Sequence, residues 1–236
     1  MHCVTRIHKG CVRENNQDCL IQKRRLFGVA DGMGGHQGGE TASQIAVKVV
    51  CKALSHKKPS VEALENAVDV ANQKIFKKAQ GTRTLQGMGT TLTFLWEGNR
   101  DMLIAHVGDS RAYLLRDHVC QQITQDHSLV GELLRKNQIT AEQARRHPYR
   151  NVITRAVGVD AAVVVDIYRK DKKKGDIWLV CSDGLYNMVD DESLAEILQQ
   201  NSLEESADKL LNLALVNGGT DNISFVLGLV TEDGVS

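Results

Sequence analysis

Apolar and polar positions alternate in short bursts along this chain, and the bursts come in groups. Cys19 to Gln22 and Leu26 to Ala30 read as two strands of a hairpin. Thr90 to Trp96, Met102 to Val107, Ala112 to Arg116 and Val119 to Thr124 read as a meander, with turn signals at Glu97-Gly98-Asn99 and Asp117-His118. Ala162 to Tyr168, Asp176 to Cys181 and Ile223 to Val230 complete the strands. Between the groups the apolar spacing becomes helical. Glu40 to Leu54 and Val61 to Ala79 form one helix pair, with Ser60 placed to cap the second. Glu192 to Gln200 and Leu203 to Val216 form another, and Gly218-Gly219 ends it.

Strand groups separated by helix pairs differ from an alternating βαβ pattern. They predict an α+β fold with antiparallel sheets and helices on the outer faces. From Gln125 to Val157 the pattern weakens into two short amphipathic stretches, His127 to Asn137 and Thr140 to Arg146, followed by Pro148. This segment reads as a partly helical insertion, a lid or specificity flap. No G-x-G-x-x-G or Walker-type loop follows a strand, which disfavours a Rossmann or P-loop enzyme.

Composition narrows the picture. The chain has 236 residues, read as one domain over 1–236, with 42% hydrophobic and 25% charged residues, a globular profile. Lys plus Arg number 29 and Asp plus Glu number 29, so the basic excess of a general nucleic-acid binder is missing. The apolar runs are too short to span a bilayer, and Met1 to Gly10 lacks the apolar stretch of a signal peptide, so a cytoplasmic location is expected. The six cysteines form no C-x-x-C pair and read as reduced thiols, mostly in core positions. One charge run, Arg169 to Lys174, lies between apolar runs. It reads as a solvated hairpin loop or, alternatively, as a docking patch for an acidic partner.

The informative residues are aspartates beside glycine at strand ends: Asp31 before Gly32, Asp109 after Gly108, Asp183 before Gly184, and Asp221 just ahead of the last strand. Singly, each is an ordinary turn residue. Together they would meet at one rim, where clustered carboxylates repel unless cations neutralise them. Oxygen donors suit Mg²⁺, Mn²⁺ or Ca²⁺, and nothing in these segments offers the His and Cys ligands of a zinc site. Arg13 could grip a phosphoryl group with its two-pronged guanidinium, although taken alone it reads as an exposed loop arginine, and Asp18, five residues on, could hydrogen-bond a metal-bound water from behind. Gly87-Met88-Gly89-Thr90-Thr91 reads as a tight, structural backbone passage into a strand.

These segments resemble, in order, those of the metal-dependent serine/threonine protein phosphatases, the PPM or type 2C family, in their compact bacterial form. The resemblance runs from Arg13 to Val230. It rests on Arg-x-x-Asn-Gln-Asp at 13–18, Val-Ala-Asp-Gly-Met-Gly-Gly-His at 29–36 and Gly-Met-Gly-Thr-Thr at 87–91. It continues through His-Val-Gly-Asp-Ser-Arg-Ala-Tyr at 106–113, Thr-Gln-Asp-His-Ser-Leu-Val at 124–130 and Ile-Thr-Arg-Ala-Val-Gly at 153–158. Cys-Ser-Asp-Gly-Leu at 181–185 and Gly-Thr-Asp-Asn-Ile-Ser at 219–224 complete it.

The resemblance implies a four-layer αββα sandwich, two central antiparallel sheets flanked by helix pairs, with the site at one end. It implies that Asp31 bridges two Mn²⁺ or Mg²⁺ ions and that Gly32 gives a backbone carbonyl to one. Asp183 and Asp221 would hold the other, and Asp109 with Asp183 a weaker third. Arg13 would bind the substrate phosphate, and Asp18 would support a metal-bound water. The implied reaction is hydrolysis of phosphoserine or phosphothreonine by a metal-bridging hydroxide, without a covalent intermediate. Phosphorylated proteins and a cognate Ser/Thr kinase are the implied partners, for a monomer that needs neither nucleic acid nor membrane. A small-molecule phosphohydrolase and a catalytically silent binding module of the same fold are the alternatives. One departure stands out. Many eukaryotic members carry a His two places after the first metal Asp, and here that position is Met33, so the leaving-group proton is expected from a metal-bound water rather than from nearby His36.

Overall fold

A computed structural model describes residues 1–231, the side chain of His36 excepted. It contains two antiparallel sheets packed face to face. The chain begins with β1 (His2–His8), β2 (Asp18–Lys23) and β3 (Leu26–Met33), then α1 (Gly35–Leu54) and α2 (Val61–Gly81). Strands β4 (Gly89–Thr90), β5 (Leu92–Glu97), β6 (Asp101–Val107), β7 (Arg111–Arg116) and β8 (Val119–Gln122) follow. Short helices α3 (Leu129–Arg135) and α4 (Ala141–Arg145) lead to β9 (Asp166–Asp171) and β10 (Ile177–Cys181). Then come α5 (Asp183–Tyr186), α6 (Asp191–Gln200), α7 (Leu203–Val216) and β11 (Ile223–Leu229).

One sheet runs β1-β11-β10-β7-β8. The other runs β2-β3-β5-β6-β9, with β4 paired to β3. Three apolar clusters define four layers. Phe27, Val29, Ile104, Leu114, Trp178 and Val226 fill the space between the sheets. Leu64, Val68, Ile75, Phe94 and Leu103 lie between the second sheet and α1–α2. Leu179, Phe225, Leu194, Leu198 and Leu210 lie between the first sheet and α6–α7. Both central layers are therefore buried on two faces, which explains why β5, β6 and β10 read as nearly continuous apolar runs. Each fully buried large apolar side chain contributes about 1.5–3 kcal/mol, so these layers hold the rim residues in place.

The helix expectations hold. Ser60 caps α2 by accepting the Ala63 N–H, and α7 carries a full capping box between Ser202 and Glu205. Helix α1 starts earlier than expected, at Gly35, because its glycines let it press on β3: a Cβ on Gly39 would lie 2.6 Å from the Gly32 carbonyl.

Four expectations need correction. The meander over 90–124 is split: β5–β6 and β7–β8 belong to different sheets, and the chain crosses between them at Gly108–Ser110. Its first strand also breaks at Thr91, whose hydroxyl accepts the Asp31 N–H and bonds the Ser110 hydroxyl. The expected hairpin loop at 169–174 is a crossover, because β9 and β10 lie in different sheets. Arg169 to Asp171 belong to β9, and Lys172 is buried with its Nζ 2.8 Å from Glu97 Oε1. The cysteines are mostly half-buried; only Cys181 is buried and Cys11 is exposed. Finally, β1 was not expected. It is an edge strand with only Val4 buried, so its pattern is too polar to announce itself.

Candidate active site

The chain ends its core strands on one rim. Asp31 stands at the end of β3 with Asp18 of β2 as its cross-strand partner. Asp31 is held by its backbone: its N–H donates to Thr91 Oγ1 (2.9 Å), and its carbonyl accepts from the Thr91 N–H (2.8 Å) and the Thr90 hydroxyl (2.9 Å). The Gly-Thr-Thr passage thus has the structural role its sequence suggested. Asp109 sits on the turn that crosses between sheets, where Gly108 takes φ 109° and a Cβ would strike the Thr91 side chain at 2.7 Å. Asp183 opens α5 directly after β10, and Asp221 lies in the turn before β11.

Arg13, Asp31, Gly32, Asp109, Asp183 and Asp221 line one cleft of about 820 Å³, together with Met33 and, from the 125–157 segment, Asn151 and Ile153. Asp18 lies beneath the cleft floor. Its Oδ2 accepts the Ser182 hydroxyl at 2.9 Å, while its buried Oδ1 has no partner. Arg13 reaches over the rim with Nη2 2.7 Å from Asp221 Oδ2. All the residues expected at the site are therefore brought together; His36 lies in α1, its side chain outside the described residues.

The electrostatics are those of one cluster. Burial, then the charges of Asp18, Asp183, Asp109 and Asp221, raise the Asp31 carboxyl well above the usual range. Burial and then Asp109, Asp221 and Asp18 do the same to Asp183, with Arg13 opposing. Burial pushes Asp109 up to about 7, with Asp126 adding to it. Burial also takes Asp18 to about 6 against the hydrogen bonds of Ser224 and Ser182. The hydrogen bond from Arg13 to Asp221 raises the guanidinium further, with Asp183 and Asp31 reinforcing. Such a set is costly by itself and is relieved by cations.

Among the described residues no three carboxylate, imidazole or thiol side chains close on a single point. Hard cations keep several waters and take one or two carboxylates each, and a backbone carbonyl such as that of Gly32 could add to them. The all-oxygen donor set and the orphaned Asp18 Oδ1 fit divalent ions with a shell of water.

Sequence reasoning missed the residues that hold this site. Asn222 clamps the loop carrying Arg13: its Oδ1 accepts the Gln17 N–H, and its Nδ2 donates to the carbonyls of Lys9 and Asn15. His127 ties the 125–157 segment to the Asp109 turn. Its Nδ1 accepts the Gly108 N–H at 3.1 Å, so its Nε2 carries the proton and donates to Asp166 at 3.0 Å. The His127 backbone also bonds Gly108 and Thr154, joining the two ends of the 125–157 segment. Behind it, His106 is held neutral, its pKa lowered by burial to about 3, and donates to the Gln125 carbonyl. Both histidines and Asn222 lie inside segments already singled out, but their roles depend on partners far away in the chain.

The model of the family described as Protein phosphatase 2C matches residues 6–216. The chain belongs to the protein phosphatase 2C family. Serine/threonine phosphatase stp of Listeria monocytogenes is 39% identical over 239 residues, covering 96% of this chain and 95% of the relative. The crystal structure of the Mycobacterium tuberculosis serine/threonine phosphatase PstP/Ppp superposes with a TM-score of 0.92 at 38% identity, covering 98% of this chain and 99% of the other. The catalytic domain of PstP in complex with two manganese ions gives a TM-score of 0.91 at 36% identity, covering 98% of both chains. The αββα layering expected of the 2C family is thus the fold of this chain.

Proposed function

We propose that this protein is a metal-dependent phosphatase that hydrolyses phosphoserine and phosphothreonine in proteins, acting as one catalytic unit with 125–157 as its flap. The single observation carrying the reading is the convergence of Asp31, Asp109, Asp183 and Asp221 on one cleft with Arg13 at its mouth. Asp31 and the Gly32 carbonyl, with Asp183 and Asp221, would hold two Mn²⁺ or Mg²⁺ ions, and Asp109 with Asp183 a weaker third. When bound, the ions supply positive charge that polarises the phosphoryl oxygens and makes a water acidic near neutral pH.

The protein's own groups do the rest. Arg13 is more than half exposed and pre-aimed across the rim, so its guanidinium can leave Asp221 for two phosphoryl oxygens, neutralising charge that grows in the transition state. Asp18, raised toward neutrality beneath Asp31, orients the attacking water through its free Oδ1. Met33 has no proton to give, so the alkoxide is protonated by water in the cleft. His36→Ala should therefore turn over a phosphopeptide at close to the parent rate; loss of turnover with metal affinity intact would assign the acid to His36.

The implied partners are phosphorylated proteins and the Ser/Thr kinase whose work is reversed. We also propose that it acts as a monomer in the cytoplasm; no helix among the described residues is long and apolar enough to cross a membrane. The deciding assay is Mn²⁺-dependent hydrolysis of a phosphothreonine peptide. It should vanish in EDTA and in Asp183→Asn; robust turnover in EDTA refutes the metal-dependent reading.

A further inference from the structure

A second groove of about 710 Å³ runs from the catalytic cleft between the flap and the start of α6. The two share Asn151, Asp183, Thr220 and Asp221, so a chain seated at the catalytic centre extends into it. We propose that Arg145 and Arg150 in this groove bind a second anionic group of the substrate polypeptide, an acidic side chain or a further phosphate beside the phosphorylated residue. This rests on the phosphatase reading above.

The argument is one of uncommitted charge. The groove's acids are already engaged. Asp126 takes a bidentate pair from Arg111, whose guanidinium also stacks 3.7 Å over Tyr186. Asp190 caps α6 by accepting the Ser193 N–H at 2.8 Å, and Asp191 accepts the Tyr113 hydroxyl. Asp183 and Asp221 belong to the catalytic centre. The flap's cations are different. Arg146 pairs loosely with Glu142 at 3.5 Å on its own helix turn. Among the described residues Arg150 makes no side-chain hydrogen bond or ion pair, and Arg145 makes none either, though its charge reaches Asp190 across the groove. Two exposed guanidiniums therefore line a channel leading from the phosphate centre with their fork donors free, the arrangement that carboxylates and phosphates match.

The test compares kcat/KM for phosphothreonine peptides of one core sequence flanked on either side by neutral residues, by Asp or Glu, by a second phosphothreonine, or by Lys. Peptide affinity is followed in parallel by fluorescence anisotropy. On one flank the anionic peptides should be preferred about fivefold per charge pair, and the preference should shrink with salt. Whether Asp or the second phosphate gains more identifies the anion read. The ratio of anionic to neutral peptide should fall to about one in Arg145→Ala/Arg150→Ala, and Arg145→Glu/Arg150→Glu should favour the Lys-flanked peptide. Equal handling of all flanks by the parent protein, or an unchanged ratio in both variants, overturns the proposal. Absence of turnover with the anionic preference kept in binding would overturn the phosphatase reading instead.

Discussion

Replacing Asp18 by Asn should make the metal-free protein more stable and the enzyme worse. Asp18 is 8% exposed, and burial raises its carboxyl from an ordinary 3.8 to about 6. The folded state therefore holds its proton more tightly than the unfolded chain does. Stability is lost as pH rises from about 4 to about 6, and the loss stays constant above that. At 1.36 kcal/mol per pKa unit, the ionised carboxylate costs the fold about 3 kcal/mol. Asn has the same shape, keeps an oxygen for the Ser182 hydroxyl, and turns its amide toward Asp31, which faces it across the strand pair. The cost should then disappear. Urea unfolding in EDTA should give equal stabilities for parent and Asp18→Asn near pH 4 and a gain of about 3 kcal/mol for the variant at pH 8. Added Mn²⁺ should narrow the gap, because it relieves the parent's carboxylates, while kcat for a phosphopeptide falls. A variant less stable than the parent at pH 8 in EDTA would refute the account of Asp18 as a desolvated charge held for function.

Other outcomes test the frame around the site. Lys172→Ala takes from Glu97, itself 7% exposed, the nearer of its two ammonium partners and leaves it the Met1 α-amino group at 3.6 Å, so it should lower the urea-unfolding free energy by about 2 kcal/mol with little change in metal affinity. Gly184→Ala puts a Cβ 2.0 Å from the Asn222 carbonyl, forcing α5 away from the Asp221 turn. It should cost about 2 kcal/mol or more and weaken Mn²⁺ binding by calorimetry. Arg13→Ala should lower kcat/KM for a phosphopeptide by about 100-fold, the value of a bidentate charge-assisted contact, with Lys restoring only part of it.

The acids were legible in the sequence because of their local setting. Asp beside Gly at the end of an apolar run marks a strand that surfaces, and Asp31, Asp109 and Asp183 carry that mark, while Asp221 stands in the Gly-Gly-Thr-Asp-Asn turn just ahead of the last strand. The helix pairs were legible for a similar reason: a buried stripe and a cap such as Ser60 are local signals. The split of the strands over 90–124 was not legible, because both halves read as short apolar runs joined by turn signals and a two-sheet core buries either of them. Nor was the position of Lys172, in a charge run that looks solvated until Glu97 is brought to it from another strand. The roles of His127 and Asn222 stayed hidden because they are defined by partners such as Gly108, Asp166, Lys9 and Asn15.

The balance of 29 acids and 29 bases shows the same division. The sequence alone determined the elements, the oxygen-rich chemistry and its resemblance to a phosphatase family, since periodicity, capping and motif order are properties of neighbouring residues. The tertiary structure decided where the charges fall. It drew Asp18, Asp31, Asp109, Asp183 and Asp221 to one rim, buried some and half-covered others, and set Arg13 across from them. Burial and distance govern electrostatic energy, and both arise only when strands distant in the chain are packed side by side.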